Sequence, residues 1–124
     1  MSNVVPLEYN FLDRDGIIAN TDYRQEMCLR LSDDTVIDMT TYSAKMQVRQ
    51  SAGTTVIVEF SSADSSIVLS DSDPNIVLVK DLSDMNLTPG EYQYDLRLQD
   101  PDSKQNIFIK GRIDILANIT DNIA

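Results

Sequence analysis

The residues of this 124-residue chain whose types and spacing could do chemistry are its carboxylates. They fall in close pairs at Asp13/Asp15, Asp33/Asp34, Asp71/Asp73 and Asp100/Asp102. Two carboxylates so close can share a cation or, with their proton affinities split, act as acid and base. All four pairs sit where the sequence predicts turns, and Asp belongs in turns because its side chain holds nearby backbone amides. No loop has the ligand spacing of an EF-hand, so Asp71/Asp73 and Asp100/Asp102 are the places to look for calcium, and no metal or cofactor is assigned. The chain has no histidine, which removes His-dependent triads, metal sites and proton shuttles. Cys28 has no second cysteine to pair with and lacks the usual base to activate it. Four glycines make no phosphate-binding loop. The inventory predicts a protein that is not an enzyme.

Ten basic against twenty acidic residues give a formal charge of −10, with no run of Lys or Arg. That balance argues against nucleic acid or an anionic membrane as partner and leaves solubility, or docking onto a basic protein surface, as its use. With 42% hydrophobic and 24% charged residues, the chain is expected to be one globular domain with a real core. The first eleven residues have neither the basic start nor the apolar stretch of an export leader, and no segment is long enough to span a bilayer. Asn86-Leu87-Thr88 and Asn118-Ile119-Thr120 match the glycosylation triplet, which has meaning only in a secretory pathway.

The elements that would carry these side chains are strands. From Glu91 to Gln99 the even positions Tyr92, Tyr94, Leu96 and Leu98 are apolar and the odd ones polar, the period of a half-buried strand. The following segment alternates too, with Ile107, Ile109, Ile113 and Ile115 against Asn106, Lys110, Arg112 and Asp114. Joined by a four-residue Asp100–Ser103 turn, the two predict a hairpin with 96 opposite 107, 94 opposite 109 and Tyr92 opposite Gly111. Further strands are expected over 7–11, 23–31, 42–49, 55–60, 67–69 and 75–80, the last buried on both faces, with a loop at 17–22. Leu82, Met85 and Leu87 are spaced for one helical turn, capped by Ser83 or Asp81.

About eight short strands and a single helical turn predict an all-β, antiparallel, immunoglobulin-like β-sandwich over 7–116, with an arm at 1–6 and a tail at 117–124; a small barrel is the second architecture the pattern allows. The immunoglobulin-like reading rests on Tyr92, which follows a Thr88-Pro89-Gly90 corner in the position of a corner tyrosine, two residues before Tyr94 in the place that often holds a cysteine. Apolar residues in surplus, Phe108 and Leu116 on the polar side of the last strand and both parities around 67–69 and 76–79, are either covered by loops or used in contact.

Two stretches resemble a known family. Val36 to Arg49, with Tyr42, Met46, Gln47, Val48 and Arg49, and Pro89 to Leu98, with Asp100-Pro101-Asp102 and Lys110-Gly111-Arg112-Ile113, resemble the opening and closing hairpin of small tailed-bacteriophage virion proteins. These are β-sandwich domains similar to the N-terminal domain of phage upper baseplate proteins. The sequence departs from their pattern at 13–22 and at Thr41. The resemblance implies a non-enzymatic structural protein of the virion, made in the host cytoplasm, placed at tail, baseplate, neck or as capsid decoration. Its partners would be other virion proteins, with the chain a homo-oligomer or present in multiple copies. Expected contact residues are Phe108, Lys110 and Arg112 on the outer face of the last strand, and Val4, Val5 and Leu7 in the arm. A carbohydrate-binding or adhesive sandwich module is the alternative; such modules usually present exposed aromatics, often Trp, and this chain has no Trp.

Overall fold

The structure, a computed structural model, describes residues 7–11, 16–19, 21–51, 53–82 and 87–117. The arm with Val4 and Val5, the Asp13/Asp15 turn, the helical turn through Met85 and the tail beyond 117 lie outside the described residues. Nine strands run through the described residues: β1 (Leu7–Glu8), β2 (Ile17–Ile18), β3 (Asp22–Met27), β4 (Ser43–Arg49), β5 (Val56–Ser61), β6 (Ile67–Leu69), β7 (Ile76–Asp81), β8 (Gly90–Gln99) and β9 (Gln105–Leu116). They form two sheets, one in the order β1-β9-β8-β4-β5 with β2 also on β9, the other in the order β3-β7-β6.

A strand with apolar residues at every second position can bury one face, and each sheet does so against the other. Met46 and Val48 of β4, Phe60 of β5, Leu96 and Leu98 of β8 and Ile113 of β9 join Tyr23, Ile76 and Leu78 of the smaller sheet in one buried cluster. The Tyr23 and Phe60 rings meet edge-on across the two layers at 5.9 Å. Each fully buried side chain of this size contributes about 1.5–3 kcal/mol.

The hairpin β8–β9 forms with its predicted faces but in a register shifted by two: Leu96 faces Ile109, Leu98 faces Ile107 and Tyr94, not Tyr92, faces Gly111. The cause lies at the turn. Asp100 N–H donates to Lys104 O at 2.9 Å and Ser103 N–H to Asp100 O at 3.0 Å, while Ser103 takes a left-handed φ of 66°. This is a three-residue loop. Alone it would put the isoleucines of β9 on the wrong side, because one residue of slip exchanges the faces. A bulge between Leu98 and Gln99 adds the second residue and restores the parity.

The larger sheet is mixed rather than purely antiparallel. β1 and β2 both lie parallel to β9, with Leu7 beside Ile109 and Ile17 beside Ile115, so the segment expected as loop at 17–22 begins as an edge strand. Phe11 bridges to Ile113 between them. Gly111 makes this approach possible, since a Cβ there would overlap the Tyr9 carbonyl oxygen. That carbonyl turns inward to accept from the Tyr94 hydroxyl at 2.5 Å, and Asn10 Oδ1 accepts from the Arg112 N–H at 2.7 Å.

The corner before β8 is closed by the Tyr92 hydroxyl, which donates to Thr88 O at 2.7 Å. Two apolar positions differ from expectation. Leu31 is 53% exposed because the strand expected over 23–31 ends at Met27, and Val79 is 36% exposed on the outer side of β7.

Candidate functional site

Among the described residues the carboxylate pairs do not assemble into a site. Asp33 Oδ1 accepts from Thr35 N–H and Asp100 Oδ1 from the amides of Asp102 and Lys104, the turn-forming work that Asp does for backbone reasons. Asp73 reaches Arg30 at 2.8 Å and Asp34 approaches the same guanidinium at 3.8 Å. Asp13 and Asp15 lie outside the described residues. Among the described residues no three His, Cys, Asp or Glu side chains converge on a point that could hold a metal ion. Cys28 is half-buried and free.

What the fold does gather is the polar parity of the central strands. Lys45, Gln47 and Arg49 of β4, Glu91, Gln93, Asp95 and Arg97 of β8, and Phe108, Lys110, Arg112 and Asp114 of β9 alternate with the buried rows and so share the outer face of the larger sheet. Lys45, Arg49, Arg97, Lys110 and Arg112 are half of the ten basic residues of a chain whose net charge is −10. Glu8, Glu59, Glu91, Asp95 and Asp114 balance them, so this face is close to neutral and the acidic excess lies elsewhere.

Ion pairs lace the face: Arg112 with Asp114 at 3.3 Å and Glu91 at 3.8 Å, Arg97 with Asp95 at 3.6 Å and Lys45 with Glu59 at 3.9 Å. The pairs with Glu91, Asp95 and Glu59 are solvent-exposed and contribute little to stability, whereas Asp114 is largely buried beside Arg112. The Arg97 guanidinium lies over the Phe108 ring, 5.0 Å from its centroid, holding the apolar side chain half-buried on a polar surface. The twisted sheet is hollowed along this face. One open concavity of about 450 Å³ is lined by Glu8, Arg49, Asp95, Phe108, Lys110 and Arg112. A second, of about 530 Å³, adjoins it around Lys45, Ser62, Asp95 and Arg97.

The predicted contact residues Phe108, Lys110 and Arg112 therefore line one hollow. Leu7, in β1, pairs beside Ile109 and is not among the residues that line the hollow. Val4 and Val5 fall outside the described residues. The floor is built from below: burial first, then the nearby Tyr23 and Tyr9 hydroxyls, hold the Tyr94 phenol neutral far above its ordinary pKa, so it serves as a donor to Tyr9 O.

Three polar features escape a reading of the sequence. Asn75 is fully buried, and Asp22 and Asp81 face each other across β3 and β7. Lys80 Nζ donates to Glu59 O at 2.6 Å. Each joins residues far apart in the chain, and no local spacing signals a partner that only the strand register supplies. Comparison with protein-family models, with curated proteins and with solved structures gives no match.

Proposed function

We propose that this chain is a non-enzymatic structural protein of a tailed-bacteriophage virion, an immunoglobulin-like sandwich that joins other virion proteins through the outer face of its larger sheet. The observation that carries the reading is the hollow, charge-balanced strand face on which Phe108, Lys110 and Arg112 come together in an otherwise strongly acidic chain. An aromatic side chain anchored under an arginine, on a face without net charge, suits a protein-contact surface.

The finer fold reading draws support from topology. A strand order of β9-β8-β4-β5 facing β3-β7-β6, an N-terminal strand parallel to β9 and a tyrosine whose hydroxyl ties down the corner before β8 are features of that sandwich class. The two stretches that resemble phage virion proteins fall on β4 with the segment before it, and on β8 and β9, three hydrogen-bonded neighbours in the larger sheet. Their likeness is one of framework.

Particles purified by density gradient from the phage whose genome encodes the chain test the proposal. Mass spectrometry is expected to recover the chain in fixed ratio to the tail proteins. The folded Phe108→Ala/Lys110→Glu/Arg112→Glu variant is expected to be missing from particles. A chain found only in the soluble lysate, or a variant that incorporates as well as the wild type, overturns the proposal. Clear hits on a glycan array that the same variant abolishes favour the carbohydrate-binding alternative.

A further inference from the structure

We propose that β3 is a self-recognition edge, pairing antiparallel with β3 of a second copy about a two-fold axis through Gln25. The inference stands on the smaller sheet alone and is independent of the virion reading.

The backbone of β3 is half used. In β7, Val79 N–H donates to Ser66 O at 2.9 Å and Ser70 N–H donates to Asn75 O at 3.0 Å, so the odd residues of β7 turn toward β6. Ile76, Leu78 and Lys80 are left for β3, where their partners are Met27, Gln25 and Tyr23. Asp22, Arg24 and Glu26 consequently aim their N–H and C=O groups away from β7, at an edge that no described strand occupies. There the Glu26 carbonyl accepts from the exposed Gln25 Nε2 at 3.2 Å, a donor that a strand N–H can replace.

The other edges are closed or short. Lys80 Nζ covers Glu59 O on β5, and Ser66 Oγ accepts from Ser61 N–H at 2.7 Å just beyond. The β9 edge is taken by β1 and β2, and β6 has three residues. An open edge six residues long is otherwise a template for uncontrolled pairing.

Charge selects both the occupant and the register. Only the even residues can form the hydrogen-bonded pairs of a new ladder, because only they face outward. Centring the ladder on Gln25 places Arg24 of each copy against Glu26 of the other, Tyr23 against Met27 and Asp22 against Cys28. Centring it on Arg24 sets that arginine against itself and Asp22 against Glu26, centring on Glu26 opposes the two glutamates, and centring on Tyr23 pairs Asp22 with Arg24 but uses only the first half of the six-residue strand. Like charges directly opposite destabilise a ladder and opposite charges support it. Arg24 and Glu26 already pair within the strand at 2.9 Å with both side chains exposed, so two copies would close a four-member ring of alternating charge. Two-fold contacts of this kind are self-complementary and stop at the dimer.

Sedimentation analysis of the full chain is expected to show a species of twice the 13.9 kDa chain mass. Arg24→Glu, at an exposed side chain, is expected to weaken the dimer by at least roughly tenfold, as two attractive pairs become repulsive. The double exchange Arg24→Glu/Glu26→Arg is expected to restore it. Gln25→Cys in a Cys28→Ser background is expected to oxidise to a cross-linked dimer, because facing Cα atoms of a non-hydrogen-bonded pair lie about 4.5 Å apart, within disulfide reach. A chain monomeric at every attainable concentration overturns the proposal. So does a dimer indifferent to Arg24→Glu, not rescued by the double exchange, or unable to cross-link through position 25.

Discussion

Gly111 shows how one missing side chain can organise an edge. The Tyr9 carbonyl occupies the space where a Cβ would be, and the Tyr94 hydroxyl holds it there. Gly111→Ala forces the backbone of residues 9–10 off β9 and is expected to cost about 3 kcal/mol, read as a lowered urea midpoint. Gly53 supplies the contrast: its φ is +83° but nothing lies within 4 Å of where a Cβ would stand, so Gly53→Ala meets only the left-handed backbone cost of about 1 kcal/mol. If the two variants prove equally stable, the close approach of β1 to β9 is not what Gly111 serves. The sequence makes a glycine in an isoleucine row visible, but the reason for it is another segment about a hundred residues away, which no alternation reveals. The alternation predicts Tyr92 as an aromatic cover across the hairpin from Gly111, and the shifted register puts Tyr92 opposite Ile113 instead. Tyr94 supplies the ring there, and the decisive neighbour is a main-chain oxygen.

Elements are legible in the sequence where one face is buried and illegible where the partner is polar. The alternation of β4, β8 and β9 identifies strands and faces because a half-buried strand has few other ways to arrange its apolar residues. The register of β8 on β9 is not legible, since a left-handed Ser103 and a bulge beside Gln99 change the count together while leaving the faces unchanged. The segment 28–37 departs from the expected strand for a different reason. It leaves the sheet after Met27, and a side chain takes over its backbone bonding: Asn75 Oδ1 accepts from Leu29 N–H at 2.8 Å, and Asn75 Nδ2 donates to Leu29 O and Ile37 O, both at 2.9 Å. Asn75 fastens this segment to the start of β7 from a fully buried position. Asn75→Ala removes the bonds to Leu29 N–H and Ile37 O, while Leu29 O keeps the Ile37 N–H, and is expected to cost about 2–3 kcal/mol. Hydrogen exchange is expected to accelerate at the Leu29 amide before β4 and β8 are affected; uniform acceleration across the chain would show that Asn75 supports the whole core instead of this one segment.

For the whole molecule the governing quantity is charge, and its placement matters more than its total. The −10 is plain in the sequence. That the larger sheet's outer face is neutral cannot be read there, because it depends on which strands are neighbours. The same placement sets the response to acid. Hydrogen bonds from the side chains and amides of Thr35, Thr40 and Ser66 hold Asp33, Asp38 and Asp64 below the ordinary 3.8. A carboxyl lowered on folding stabilises the fold fully above 3.8, and that support is lost as pH falls through the folded value. Asp22 runs the other way. A hydrogen bond shared with Asp81, then the charge of Asp81, raises it above 3.8, so its proton favours the fold fully below 3.8 and that support is lost as pH rises through the folded value. At neutral pH the pair is left as two like charges facing each other across β3 and β7. Asn at position 22 keeps the uncharged form at every pH. Asp22→Asn is therefore expected to raise the urea midpoint at pH 7 and to lose that advantage as the pH is taken below 3.8, where the wild-type carboxyl is protonated as well. Equal midpoints at pH 7, or an advantage that persists unchanged in acid, would mean that Asp22 and Asp81 do not repel each other in the folded chain.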